Sequence, residues 1–328
     1  MEMVTYEDAP VLIVGTDPLA YSLLVCLVQG GHPVTLLTEG PSEAKDKIQR
    51  HSAELLRRGR PGLKTNDFEI TDKLAGKTDA PLAFILTKES LPEKKNRLAQ
   101  LEEAMPSDGI IAINTESIPL SEIRHDAWHP GRVIGANWVE PVHTTRFLEL
   151  IVPQDGDKVI ADALVRVATR KWRKDPYLIT GDLGIRAKMF AAMVREAFYL
   201  VENEYASIED IDRACRNDAG YYLPFAGNFR YMDLMGAYAY GMVMKDLNPD
   251  LSKETGVPSF VKDRIDCGQT GMEKEHGFYQ YGQGAAAQWQ ERFHTFSYQI
   301  EEIIRKYPFN DQQDGLKGKD EPKPPANE

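Results

Sequence analysis

The apolar run Val11-Leu-Ile-Val-Gly15 passes directly into Thr16-Asp-Pro-Leu-Ala20. A helix-patterned stretch, Leu19–Gln29, then stops at Gly30-Gly31 ahead of a second apolar run, Val34-Thr-Leu-Leu37. Strand, helix, strand at this spacing is one βαβ unit. Neither strand alternates apolar with polar residues, which suits a parallel sheet covered on both faces better than an antiparallel sheet with one face in water. Further strands are predicted at Leu82–Leu86, Ile110–Ile113, Val133–Ala136 and Phe147–Val152, separated by charged helical segments at Ser42–Arg58 and Pro92–Ala104. Such alternation predicts a doubly wound α/β sheet.

From about Leu183 the texture changes. Met189, Phe190, Met193, Ala197, Leu200 and Val201 fall at helical spacing, and strand-like runs nearly vanish. Asp182 or Gly184 is the expected start of a long helix, and Ser207 with Asp210 reads as an N-cap with a first-turn acid. Later helices are predicted at Phe229–Lys245, Ser259–Cys267 and Ala285–Lys306. The expected organisation is a Rossmann-type α/β domain over residues 1–181 and an all-helical domain over 182–308. The Asp-, Lys-, Gly- and Pro-rich end, 309–328, holds too little apolar surface to fold.

With 39 basic against 50 acidic side chains the net charge is -11, which argues against a nucleic-acid partner, because that affinity comes from Lys and Arg displacing counterions. Cys26, Cys215 and Cys267 are far apart and fit no disulfide framework or metal-ligand spacing, so no metal is expected and a reducing cytoplasm is the expected setting. No stretch reaches the roughly 18 apolar residues that would span a bilayer, and no membrane partner is expected.

The first strand-to-helix turn is where a dinucleotide-binding unit carries G-x-G-x-x-G, so that a pyrophosphate approaches the backbone and faces the helix N-terminus. Here Gly15 stands first, Asp17 second and Ala20 third, with Thr16 and Leu19 between them. Asp17 is expected to oppose the standard pose by charge and by filling the approach path. The acid that would hold a ribose hydroxyl is replaced by Thr38, with Glu39 one residue on.

Gly30-Gly-His-Pro-Val34, Asn114-Thr-Glu-Ser117, Gly135–Glu149 and Gly181–Asp212 occur in that order. Pro224-Phe-Ala-Gly-Asn-Phe229, Met232-Asp-Leu-Met-Gly236 and Gly277-Phe-Tyr279 follow. Read together they resemble the 3-hydroxyacyl-CoA dehydrogenase family from Val11 to Tyr281. The resemblance implies NAD or NADP as cofactor, a small substrate in the class of acyl-CoA, and a homodimer formed through the helical domain. It places Glu89 and Lys94 at cofactor-contacting positions and Ser117 in a loop beside the nicotinamide. For Glu89 and Lys94, solvated helix-start charges are the alternative.

In that family a His takes the hydroxyl proton and is oriented by a Glu twelve residues later. Here the pair reads Asn137 and Glu149. Asn accepts no proton at useful pH, so Glu149 is expected to lack its partner. Glu116 replaces a serine that holds the substrate oxygen, Glu140 replaces an Asn, and Ile185 stands where the helical domain supplies an Asn. If Glu116, Glu140 and Glu149 converged on one cleft, repulsion and burial would raise one carboxyl and make it a base. A helix- or strand-end charge paired with Arg146 is the other reading of Glu149. His143 is a second candidate base, although such a residue is more often a hydrogen-bonding one, and His276 a third. Tyr221, Tyr222, Phe225, Phe229, Tyr231, Tyr238 and Tyr240 read as core and dimer packing or as a cleft wall. Arg57-Arg-Gly-Arg60 with Lys64 reads equally as a coenzyme A phosphate grip or a helix end.

Two functions compete. One is a 3-hydroxyacyl-CoA dehydrogenase-like oxidoreductase moving a hydride between NAD(P) and a hydroxyl or keto substrate. The other is an inactive dimeric relative kept as a binding or scaffold protein, favoured by Asp17, Thr38, Glu116, Asn137 and Ile185.

Overall fold

The computed structural model describes residues 6–308 except 75 and 157; the tail expected at 309–328 lies outside the described residues. The chain divides into two compact units between Met193 and Val194.

The first unit is built on one eight-stranded sheet. Its elements are β1 (Val11–Gly15), α1 (Pro18–Gln29), β2 (Val34–Leu37), α2 (Pro41–Arg57), β3 (Phe68–Thr71), β4 (Leu82–Leu86), α3 (Leu91–Ala104), β5 (Ile110–Ile113), α4 (Leu120–Ile123), β6 (Val133–Asn137), β7 (Glu149–Val152), α5 (Lys158–Arg170) and β8 (Tyr177–Thr180). The strand order is β3-β2-β1-β4-β5-β6-β7-β8. Neighbours run parallel except β6 and β7, which pair antiparallel with Asn137 opposite Glu149. The central strands β1, β4, β5 and β6 are wholly buried, as their unbroken apolar character predicts. β3 and β8 carry a partly exposed pattern and stand at the two edges.

Two apolar clusters fill the faces of the sheet, one around Ile13, Leu24, Phe84 and Trp138 and the other around Leu12, Ile85, Leu101 and Ile111. The order reverses between β1 and β4, and the carboxyl ends of those strands are where a doubly wound sheet opens a crevice. Gly15 is required there, because a Cβ on it would lie 2.6 Å from Leu86 O and 2.7 Å from Ala20 Cβ.

The second unit is helical and follows α6 (Ile185–Glu202), with α7 (Ile208–Ala214), α8 (Gly220–Met235), α9 (Ala237–Leu247), α10 (Ser259–Asp266) and α11 (Ala285–Lys306). Ser207 and Asp210 form the expected capping box on α7. The single helix predicted over 229–245 is instead broken at Gly236, which takes φ 102°, a conformation open to glycine. The aromatic residues expected in a core are largely on the surface of the chain: Tyr221, Phe225, Phe229 and Tyr238 are exposed, while Tyr222 and Tyr231 stack on each other at 4.0 Å. Among the described residues no helix is long and apolar enough to cross a membrane.

Candidate functional site

Asn137 ends β6 and Glu149 begins β7, so the strand reversal brings together two side chains that are twelve residues apart. The Asn137 amide donates through Nδ2 to Glu149 Oε1 at 3.0 Å, and its Oδ1 accepts from Thr115 N at 2.8 Å. Both side chains are fully buried. Two expectations are corrected here. Asn137 does not face a ligand, because both of its polar ends are consumed inside the protein, and Glu149 keeps a partner at the position where an imidazole would stand.

The other oxygen of Glu149 is equally committed. Oε2 accepts from Ile185 N at 2.8 Å, Arg186 N at 3.1 Å and the Tyr177 hydroxyl at 3.0 Å. Glu149 therefore caps the first turn of α6 from 36 residues away, satisfying two of the amides that no residue within the helix can reach. Gly184 leaves room for it: a Cβ there would fall 1.7 Å from Glu149 Oε1. Glu149 is thus the strand-end charge of the alternative reading, but its partners are Asn137, Tyr177 and the α6 amides in place of Arg146. Burial first, and the adjacent Glu149 carboxylate second, push the Tyr177 phenol above its usual range.

Arg186 carries the network outward. Its Nη1 donates to Glu116 Oε1 at 2.5 Å, and both side chains are about one-third exposed. Thr115, Glu116, Arg186, Glu149 and Asn137 consequently close a ring of hydrogen bonds whose inner half is buried and whose outer half is an ion pair. The three carboxylates do not converge as expected. Glu116 and Glu149 are bridged by Arg186, whereas Glu140 exerts its charge on Asp17.

The loop that carries Thr115 and Glu116 is held from below. Glu89 Oε1 accepts from Glu116 N, Ser117 N and Ile118 N at 2.8–3.0 Å and from the hydroxyls of Thr115 and Ser117 at 3.2 and 3.4 Å. These loop amides and Lys94 draw the Glu89 carboxyl below its usual range, against the opposing pull of burial. Lys94 is fully buried, donating to Asn114 O at 2.6 Å and Thr87 O at 3.3 Å and pairing with Glu89 at 3.3 Å. Lys94 is not a solvated charge and has no surface left with which to touch a cofactor, whereas Glu89 stays partly exposed just ahead of α3 while it holds the loop.

At the crevice, Gly15, Thr16, Thr38, Glu39, Glu93 and Arg97 line a groove at the ends of β1 and β2. Asp17 sits at the helix N-terminus that a phosphate would approach. It turns back to cap α1, accepting from Ala20 N at 3.0 Å, and burial raises its carboxyl pKa. Leu19 packs against the core, and Thr16 lends its carbonyl to the Tyr21 hydroxyl. Thr38 is buried, with Oγ1 accepting from Gly40 N, while Glu39 projects into solvent and pairs with Arg97 at 2.7 Å. The residues fit a dinucleotide in part: Gly15 permits the tight turn and Glu39 offers an acceptor for ribose hydroxyls, while the Ala20 amide at the start of α1 is held by Asp17.

Among the described residues, the remaining candidates supply no side chain to the hydrogen bonds of the ring. His143 is buried edge-on against His51 of α2 at 4.8 Å. His276 belongs to a short bridged segment of the helical unit. Arg57 and Arg58 close α2, with Arg58 paired to Glu54 of the preceding turn. Ile185 presents its amide to Glu149 and leaves its side chain half exposed. Arg186 escaped the sequence reading, although a signal was present: a cation in the first turn of a helix opposes the helix dipole, and α6 has no acid of its own there.

Comparison with known proteins agrees with this architecture. The model described as 3-hydroxyacyl-CoA dehydrogenase, NAD binding domain, matches residues 11–182, and the model of the C-terminal domain matches residues 185–281. The chain is 23% identical over 284 residues to 5-formyl-3-hydroxy-2-methylpyridine 4-carboxylate 5-dehydrogenase of Mesorhizobium japonicum, covering 83% of this chain and 90% of that protein. It is 25% identical over 282 residues to 3-hydroxybutyryl-CoA dehydrogenase of Clostridioides difficile, covering 82% and 98%. A crystal structure of a 5-formyl-3-hydroxy-2-methylpyridine 4-carboxylic acid 5-dehydrogenase superposes with TM-score 0.82 at 20% identity, over 93% of this chain and all of that one, and shares its fold. The N-terminal unit is accordingly an NAD(P)-binding domain, and the chain belongs to the 3-hydroxyacyl-CoA dehydrogenase family.

Proposed function

We propose that this chain is an NAD(P)-dependent oxidoreductase acting on a small hydroxyl or keto substrate, with Asn137 and Glu149 as the frame of the site and Glu116 as its proton-exchanging carboxylate. The observation that carries the reading is the Asn137–Glu149 hydrogen bond at 3.0 Å, which keeps the family's two catalytic positions joined although the imidazole is gone. NAD(P), when bound, supplies the hydride acceptor. Glu149 has its lone pairs taken by four donors and serves to orient. Glu116 is the partly exposed carboxylate of the ring and sits where the family places a serine against the substrate oxygen, so it is the group able to receive a hydroxyl proton. Ser117 lies beside it and is fixed by Glu89.

A titration with NADH and NADPH, followed by fluorescence and by thermal shift, tests the reading. Saturable binding with an upward shift in Tm is expected. No shift at millimolar cofactor sinks it in favour of the second reading, a relative without turnover that keeps the fold for binding. That reading draws support from the same ring, since neither Asn137 nor Glu149 can accept a proton as placed. Restoring the imidazole separates the two: N137H is expected to raise turnover of a 3-hydroxyacyl-CoA, because His would again combine a basic nitrogen with the Glu149 carboxylate.

The exposed Tyr221, Phe229 and Tyr238 support a homodimer formed through the helical unit, because aromatic side chains are enriched where protein surfaces associate. Light scattering giving twice the chain mass is the expected result.

A further inference from the structure

The outer half of the ring offers a cation with capacity to spare. Arg186 uses Nη1 on Glu116, and among the described residues its Nε and Nη2 make no hydrogen bond. Its guanidinium lies over the Phe147 ring at 5.9 Å, and Phe147 in turn meets Tyr177 edge-on at 5.9 Å, giving a flat apolar wall beside a charged fork. The backbone of Arg186 is pinned by Glu149, so the side chain leaves from a fixed point next to the two catalytic positions. A planar guanidinium stacked on a ring and bound on one edge recognises a carboxylate in two-pronged fashion, and Arg is preferred over Lys for that geometry. The ligand-free protein already places a carboxylate on this group, that of Glu116.

We propose that Arg186 is a specificity-determining residue that binds a free carboxylate of the substrate through its Nε–Nη2 edge, with Glu116 holding the guanidinium in place from Nη1. The substrate class is then a hydroxy or keto acid with an apolar or aromatic body lying against Phe147 and Tyr177. The inference rests on the oxidoreductase reading, whose ligand it specifies. No covalent step is involved. The two carboxylates share one guanidinium, so the negative charge of Glu116 opposes the binding it frames.

The test uses the full chain without cofactor and two matched pairs of probes, acetoacetate with methyl acetoacetate and benzoate with methyl benzoate, measured by calorimetry. Each pair differs by one negative charge. The carboxylates are expected to bind about tenfold more tightly than their esters, the magnitude of a charge-assisted hydrogen bond. R186Q is expected to abolish the difference. E116Q removes the internal competitor and is expected to tighten carboxylate binding while leaving the esters unchanged. Equal binding of acid and ester, or a preference that survives in R186Q, overturns the proposal. NADH titration of the same preparation keeps the two failures apart. Cofactor binding without a carboxylate preference rejects this inference alone, whereas absence of cofactor binding rejects the reading on which it rests. Circular dichroism of R186Q and E116Q establishes that each variant is folded, and R186K, with charge but no fork, is expected to keep only part of the preference.

Discussion

Asn137 and Glu149 face each other across the one antiparallel strand pair of the sheet, and the amide of the first donates to the carboxylate of the second at 3.0 Å. The pair is a joint between strands, and its carboxylate also closes the start of α6.

Replacing Glu149 with Gln leaves one acceptor oxygen for two sets of donors, the α6 amides with the Tyr177 phenol on one side and the Asn137 amide on the other, so an NH2 group faces a donor in either orientation. The expected cost is about 2–4 kcal/mol of folding stability, from buried donors left unsatisfied. Denaturant unfolding of E149Q against the parent chain measures it; an unchanged midpoint would show that the capping role is wrong.

Gly184→Ala drives a methyl group into the Glu149 carboxylate, 1.7 Å from Oε1, and the acid must leave its seat. The first turn of α6 is expected to fray. Hydrogen exchange at the amides of Ile185 and Arg186 should accelerate by at least about tenfold, the equivalent of about 1.4 kcal/mol, with β1 and β4 unaffected.

Asp17 has its carboxyl pKa raised by burial, with Glu140 adding to the effect. For a carboxyl raised on folding, the favourable contribution is complete below the unfolded value near 3.8 and is lost as pH rises through the folded value. Asp17→Asn keeps a capping oxygen and removes the charge. It should therefore gain stability relative to the parent at pH 7 and show no such gain at pH 3. Asp17→Gly exposes the α1 amides, and NADH affinity is expected to rise by about tenfold; equal dissociation constants for parent and variant would remove the electrostatic objection to Asp17.

Lys94→Met leaves the Glu89 carboxylate and the Asn114 and Thr87 carbonyls without their cation. A loss of about 3 kcal/mol is expected from the broken pair, together with faster exchange of the amides of residues 116–118. If melting temperature and exchange both match the parent, the loop is anchored by other means.

The fold was legible because its strands are read by hydrophobic runs alone. Val11–Val14, Leu82–Leu86 and Ile110–Ile113 are apolar throughout, and the central sheet follows from them. The edge strands β3 and β8 lack that signature, since a partly exposed strand of four residues resembles a loop. Position, too, was legible at the site, where Asn137 and Glu149 stand together as their spacing suggests. What each side chain touches was not. The donors to Glu149 lie 12, 28, 36 and 37 residues away in sequence, and the five groups gathered by Glu89 are separated from it by 26–29 residues. Pairings of that range are set by strand order and by the path of a loop, neither of which leaves a trace in local pattern. Asp17 was half legible: its place at the turn follows from the sequence, but its use as the cap of α1 depends on a rotamer that local pattern does not fix.

The seat of Asn137 is bounded by a main-chain NH and a carboxylate, partners that an imidazole ring also accepts. Codons for asparagine and histidine differ by a single base, so populations carrying this chain stand one transversion from a proton-accepting version, with no rebuilding of the surrounding strands.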